Sequence, residues 1–329
     1  MAAGSRVKWP AGPSRPRVRR TWTWTSVVAC VAAVTVYAGS AASASPSAVG
    51  EGLGSLEAKV VRDAPAGVVS LGDSYSSGLG VGTYDDDCDR TPQSWGMLIF
   101  DDDVSASDRL TLACSGADIA EVYDQLEELE RLGGTGGRLI TLTVGGNDIG
   151  FASELANCFV PFVGCDSREA VLRAEIEALV DPLTDLYRAV QAAAPGDEVI
   201  VGGYPLLVPD PAVRDSCRAL TPLLTTAERE MIRRLGTALN QVIDEAATAA
   251  GVRSAGAHLE TTFDGREACA NGPDDWINGL KLSWPFGGTE EEWEKRWGIA
   301  ATFVRDSFHP NAAGQRGYAD AFAQVWSRS

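Results

Sequence analysis

"VVSLGDSYSSGLG", Val68 to Gly80, joins an apolar run to a serine set in a glycine-rich turn. A run of aliphatic residues, Val68 to Leu71, that stops at Gly72-Asp73-Ser74 reads as a buried parallel strand entering a loop. That is where α/β folds place their chemistry. Ser74 is then either a turn former, as Gly, Asp and Ser commonly are, or a nucleophile held at a strand end. Four similar runs follow at Leu110 to Ala113, Leu139 to Val144, Val199 to Gly202 and Val252 to Ala257. Helical patterns lie between them. Leu172, Ile176, Leu179, Leu183, Leu186 and Val190 keep one face, with a kink expected at Pro182; Ile232, Leu235, Leu239, Val242 and Ala246 keep another. Thr225 with Glu228 forms a capping box before the latter, and Gly251 closes it. Strands alternating with helices predict a three-layer α/β/α sandwich around a central, mostly parallel five-stranded sheet.

The chain ahead of this pattern reads differently. Arg15, Arg17, Arg19 and Arg20 precede a short apolar run, Val27 to Tyr37, and Ala42-Ser43-Ala44 supplies small residues suited to cleavage. This is the layout of a secretory signal peptide over residues 1–44. The apolar run falls short of the ~20 residues that span a bilayer, so no stable membrane insertion is expected. The Arg19-Arg20 pair leaves the choice between the general and the twin-arginine export route open. Residues 45–65, rich in Gly, Ala and Ser, read as a flexible approach, and 66–329 as a single domain.

The formal charge of the whole chain is −17, and Met1 to Ala44 carry six positive charges and no negative ones, which leaves −23 for the exported protein. A field of that sign repels nucleic acid and anionic lipid, and its main expected role is solubility. Of the seven cysteines, Cys30 lies in the apolar run, leaving Cys88, Cys114, Cys158, Cys165, Cys217 and Cys269. An even count in an exported chain argues for disulfides, although many pairings are possible. Pairing in sequence order, Cys88 with Cys114, Cys158 with Cys165 and Cys217 with Cys269, is the simplest guess. A zinc site is the competing reading, but the chain has no CxxC pair and only two histidines.

Ester hydrolysis by serine needs a base, a group to orient it, and donors for the oxyanion. Only His258 and His309 can be the base. His258 falls at the end of the fifth predicted strand and reads as a packed edge residue. His309 sits in "RDSFHPN", with Asp306 three residues before it and Pro310-Asn311 starting a helix. Asp73 and Asp148 read as caps of backbone N–H groups. Asp85 to Asp89 alternates acids like a calcium loop, but Arg90 and Gly96 stand where that loop needs glycine and glutamate. Trp276, Trp284, Trp293 and Trp297 crowd one stretch before the histidine and could fill core or line an acyl pocket.

The GDS of Gly72 to Ser74, the Gly116 of "CSGAD", the GGND of Gly145 to Asp148 and the DSFHPN of Asp306 to Asn311 resemble, in order, the four blocks of the SGNH, or GDSL, hydrolases. The six cysteines and the "WINGL" of Trp276 to Leu280 make the chain most similar to the secreted lipases and esterases of actinobacteria. The resemblance implies a flavodoxin-like hydrolase fold, the local cysteine pairing above, and no cofactor or metal. It implies Ser74 as nucleophile, His309 as base, and Ser74, Gly116 and Asn147 as the oxyanion hole. Asp306 matches the usual third member, although some secreted members orient the histidine with a backbone carbonyl. Close members often carry histidine where Arg266 stands, a departure that assigns that turn a structural role. The expected protein is a secreted, monomeric serine hydrolase of acyl esters, a lipase or esterase. A phospholipase, a carbohydrate acetylesterase and a noncatalytic glycan- or lipid-binding member of the same fold are the alternatives.

Overall fold

A computed structural model of the chain describes residues 63–158, 165, 168–218, 220, 224–270, 272–280 and 306–327. The chain divides into Met1–Glu57 and Ala58–Ser329, and the described residues all belong to the second unit. The expected signal peptide, most of the flexible approach, and Trp284, Trp293 and Trp297 lie outside the described residues.

In chain order the elements are β1 (Val68–Gly72), α1 (Ser74–Ser77), α2 (Trp95–Leu98), β2 (Arg109–Thr111), α3 (Ile119–Leu132), β3 (Leu139–Thr143) and α4 (Phe151–Cys158). Then come α5 (Glu169–Glu177), α6 (Val180–Ala193), β4 (Glu198–Val201), α7 (Thr226–Ala250), β5 (Arg253–Ser254), α8 (Gly256–Phe263) and α9 (Ala312–Trp326). The sheet order is β2-β1-β3-β4-β5, and every pairing is parallel. β1 and β3 are buried at every position, as central strands covered on both faces must be. The helices form two groups: α3 packs on α6, α6 on α7 and α7 on α5, while α9 packs on α2 and α8. On the second side Trp95 stacks on Phe322 at 4.3 Å and Tyr318 at 5.7 Å between ring centroids. The three-layer α/β/α fold expected from the sequence is thus present, and strand order reverses between β1 and β3, the switch point at which such sheets bind ligands.

Three local expectations need correction. The run from Val252 to Ala257 supplies a strand of only two residues, because the Gly256 N–H donates to Ser254 Oγ (2.9 Å) and turns the chain into α8. His258 therefore lies in a helix rather than at a strand end. The helical face from Leu172 to Val190 is two helices that break at Ala178–Leu179; Pro182 sits in the first turn of α6, where its missing N–H costs nothing, and makes no kink there. The second strand starts at Arg109 and stops at Thr111, and its Leu110 is exposed because β2 is a sheet edge. One helix, α3, escaped the apolar pattern although Asp118 and Glu121 form a capping box at its start. α7 has both expected ends: the Thr225/Glu228 capping box and Gly251 in the left-handed conformation.

Candidate active site

β1 delivers the serine. Gly72 has φ +120°, and a Cβ there would lie 2.2 Å from the Thr143 carbonyl oxygen of β3, so only glycine fits. The Gln125 amide holds that residue from both sides, accepting from Gly72 N–H (2.8 Å) and donating to its carbonyl (2.9 Å). Asp73 then caps α1, its Oδ1 accepting from Tyr75 N–H (3.0 Å). Ser74 is the first residue of α1 and is 8% exposed.

His309 comes from the other end of the chain, and its Nε2 lies 2.8 Å from Ser74 Oγ. Its Nδ1 lies 2.9 Å from the Ser307 carbonyl oxygen. A carbonyl only accepts, so Nδ1 carries the proton, and in the neutral ring Nε2 is the acceptor facing the serine hydroxyl. Burial holds the imidazolium down, with pKa lowered to about 4 against the raising effects of the Ser307 carbonyl and the Asp306 charge. The ring is therefore neutral at neutral pH.

Asp306 directs its carboxylate elsewhere in this structure. Its Oδ1 accepts from Tyr84 Oη (2.7 Å), and Tyr84 Oη accepts in turn from Gly80 N–H (3.0 Å) and Gly82 N–H (3.1 Å). The carboxylate thus fastens the Gly80–Tyr84 loop, while the single Nδ1 proton goes to a backbone carbonyl two residues away. The residues on either side of Ser307 are held by bonds of their own. Phe308 adopts φ +60°, and its carbonyl accepts from Tyr75 Oη at 2.6 Å. The WINGL segment clamps the same loop: Asn278 Nδ2 donates to the carbonyls of Gly80 (2.8 Å) and Asp306 (3.1 Å), and its backbone pairs with Phe308 N–H and the His309 carbonyl. Sequence reading missed Asn278 and Tyr75 as parts of this clamp, although both lie in quoted motifs.

Of the oxyanion candidates, Asn147 follows β3 and donates from Nδ2 to the Ala117 carbonyl (2.9 Å), which leaves its second amide hydrogen for another acceptor. Gly116 adopts φ +87° in the turn after β2 and is exposed, with no atom within 4 Å of where a Cβ would stand. That turn is tied down by the Cys88–Cys114 disulfide and by Ser115 N–H donating to the Cys88 carbonyl (3.0 Å). Ser74, Asn147 and His309 line one narrow cavity of about 90 Å³, walled by Phe151, Leu155, Leu207, Ile232 and Leu239. Gly116 lines a separate surface groove instead.

The remaining candidates take structural positions. Asp73 is buried, and desolvation raises its pKa to about 6 against its hydrogen bonds with Tyr204, Tyr75 and Thr143. Asp148 accepts from Ile119 N–H at the start of α3. Asp86 accepts from Cys88 N–H and pairs with Arg90, and among the described residues no acidic, histidine or cysteine cluster could hold a metal. The Arg266 guanidinium lies 5.0 Å from the centroid of Trp276, whose ring meets Phe263 edge-on. The six cysteines pair in sequence order, Cys88–Cys114, Cys158–Cys165 and Cys217–Cys269.

Residues 70–316 match the GDSL-like Lipase/Acylhydrolase family. The chain is 32% identical over 271 residues to Lipase 1 of Streptomyces coelicolor, covering 80% of this chain and 88% of that one. It is similar to a lipase of Streptomyces rimosus, 32% identical over 257 residues, 76% of this chain and 83% of the relative. Among solved structures, phospholipase A1 from Streptomyces albidoflavus superposes with a TM-score of 0.64 at 32% identity, over 80% of this chain and all of that one. The extracellular lipase of Streptomyces rimosus superposes with a TM-score of 0.62 at 30% identity, over 78% and 98% of the two chains.

Proposed function

The chain belongs to the GDSL-like lipase/acylhydrolase family and is an ester-cleaving hydrolase, and from that premise we propose that a Ser74–His309 dyad carries the reaction. The observation that supports it most is the 2.8 Å contact between Ser74 Oγ and His309 Nε2, made in the one tautomer that can accept the serine proton. Ser74 Oγ attacks the acyl carbon as its proton passes to Nε2. The carbonyl oxygen becomes an oxyanion, received by the backbone N–H groups of Ser74 and Gly116 and the second amide hydrogen of Asn147. Collapse breaks the ester C–O bond, and His309 returns the proton to the leaving alcohol. Water, deprotonated by the same nitrogen, then attacks the acyl-enzyme and frees the acid and the serine. The Ser307 carbonyl keeps the ring in this tautomer and faces the positive charge that forms on it.

The apolar walls beside Ser74 fit the acyl chain of a fatty ester, so a lipase or esterase is the first reading. Phospholipid hydrolysis is the second, on the likeness to the Streptomyces albidoflavus phospholipase A1. Export with removal of residues 1–44, a single domain over 66–329 and a monomeric state complete the proposal; three disulfides fit an oxidising compartment.

Labelling by a fluorophosphonate tests the dyad. Ser74→Ala should abolish it, and Asn147→Ala should retain slower labelling with kcat lowered ~10² to 10³ fold, as loss of one oxyanion donor does. A Ser74→Ala protein that still labels, or hydrolyses p-nitrophenyl esters at the parent rate, would refute the assignment. A panel of p-nitrophenyl esters from acetate to palmitate, beside a phospholipid and an acetylated xylan, separates the substrate readings.

A further inference from the structure

Tyr204 follows β4 in "GGYP" and takes no part in the chemistry above. Its hydroxyl is buried between two loops that do. Tyr204 Oη donates to Asp73 Oδ2 at 2.6 Å, immediately before the nucleophile, and accepts from Gly146 N–H at 3.2 Å, immediately before Asn147. Its backbone is fixed on both sides by one side chain of α7: Tyr204 N–H donates to Asn240 Oδ1 (2.8 Å) and Asn240 Nδ2 donates to the Tyr204 carbonyl (2.7 Å). That clamp needs the preceding glycine, because a Cβ on Gly203 would stand 2.2 Å from Asn240 Oδ1. The ring meets Tyr75 edge-on, centroids 4.9 Å apart. Asp73 is shared further, its Oδ1 accepting from Tyr75 N–H and from Thr143 Oγ1 (3.2 Å).

We propose that Tyr204 is a positioning residue for ester hydrolysis: one hydroxyl, anchored from α7, holds the loop carrying Ser74 and the loop carrying Asn147 at a fixed separation. An oxyanion hole works only if its donors are aimed before charge develops, since reorganisation during the reaction forfeits the gain. The Ser74 N–H and the Asn147 amide come from different strands, and Ala117 holds Asn147 only on the side towards β2. Towards β1, Thr143 at the end of β3 bonds Asp73, and the Tyr204 hydroxyl adds a link that reaches Gly146, the residue next to Asn147. A phenol that merely filled space would need neither bond. The inference rests on the oxyanion role given to Asn147.

A double-mutant cycle in the full chain tests it, read on p-nitrophenyl butyrate. Tyr204→Phe should lower kcat about tenfold, less than the ~10² to 10³ of deleting a direct donor, with KM unchanged. Affinity for a boronic acid, which forms a tetrahedral adduct on serine, should fall by the same factor as kcat. In an Asn147→Ala background, adding Tyr204→Phe should change kcat less than about twofold, because the group it aims is gone. Phenylalanine leaves a buried carboxylate short of a partner, so the cycle is repeated with Asp73→Asn in every member, which removes that charge. Equal losses in both backgrounds, a rise in KM without a fall in kcat, or parent kcat in Tyr204→Phe would overturn the inference while leaving the dyad intact. Parent kcat in Asn147→Ala alone would overturn the oxyanion reading and this inference with it.

Discussion

His309 carries one proton on Nδ1 and donates it in a hydrogen bond to the Ser307 carbonyl, while Asp306 bonds Tyr84, so the proposed dyad has Asp306 fastening a loop and no third catalytic member. Asp306→Asn should therefore lower kcat far less than the ~10⁴ fold that follows loss of a serine-protease triad aspartate. A loss of that larger size in a folded variant would return Asp306 to the machinery. The pH profile gives a second measure. The free enzyme must hold His309 neutral, and burial lowers its pKa to about 4, so kcat/KM should persist well below the ~6.5 of an unperturbed imidazole and fall near pH 4. The nearby Asp306 charge favours the imidazolium, so neutralising it should move the acid limb to lower pH. Stability follows the same group. Its folded pKa is depressed, so its contribution is whole above the unfolded value of ~6.5 and is lost as pH falls towards 4. An acid limb at the unperturbed imidazole value would show that this half-buried ring is not desolvated enough to depress its pKa.

α7 shows how an element serves the site at a distance from it. Its end groups, the Thr225/Glu228 box and Gly251, are local signals that set where 25 residues start and stop. Its buried face brings Ile232, Gly236 and Leu239, one side of the helix, to the wall of the cavity beside Ser74. Two substitutions on this one helix should then separate. Thr225→Ala removes the cap and should cost ~1 kcal/mol in denaturant titration with ester selectivity unchanged. Ile232→Trp fills the apolar cavity and should lower kcat/KM for p-nitrophenyl palmitate much more than for the acetate. An Ile232→Trp enzyme with the parent chain-length profile would show that the acyl chain lies elsewhere.

Across the whole molecule, the disulfides close loops of very different length: 52 residues for Cys217–Cys269, 26 for Cys88–Cys114 and 7 for Cys158–Cys165. Unfolded-state entropy grows with the logarithm of loop length, so replacing each pair by serine should destabilise in that order, within about 2 to 4 kcal/mol per bridge. Urea titration of the three double variants reads it directly. The largest loss from the seven-residue bridge would show that the bridges act on the folded state instead. Cys88–Cys114 carries an added expectation: it ties the turn of Gly116, so its removal should lower kcat as well as stability.

Sequence by itself determined the parallel sheet, both capped ends of α7 and the shortage of histidines that could act as base, while the family resemblance supplied the cysteine pairs in their order and the meeting of Ser74 with His309. These rest on period, on short-range capping and on residues scarce enough to leave little choice: two histidines, and small polar turns after the apolar runs. It misjudged the fifth strand and Pro182, where one local hydrogen bond or the precise first turn of a helix outweighed the apolar pattern. What only the tertiary structure decided is how each donor is spent. Asp306 stands at a spacing that would reach His309, yet its carboxylate goes to Tyr84, 222 residues away in the chain, and the imidazole turns to a carbonyl that every residue possesses. Tyr204 reaches Asp73 across 131 residues. A polar atom in a protein interior has few bonds to give, and the packing that excludes water chooses between equally suitable partners.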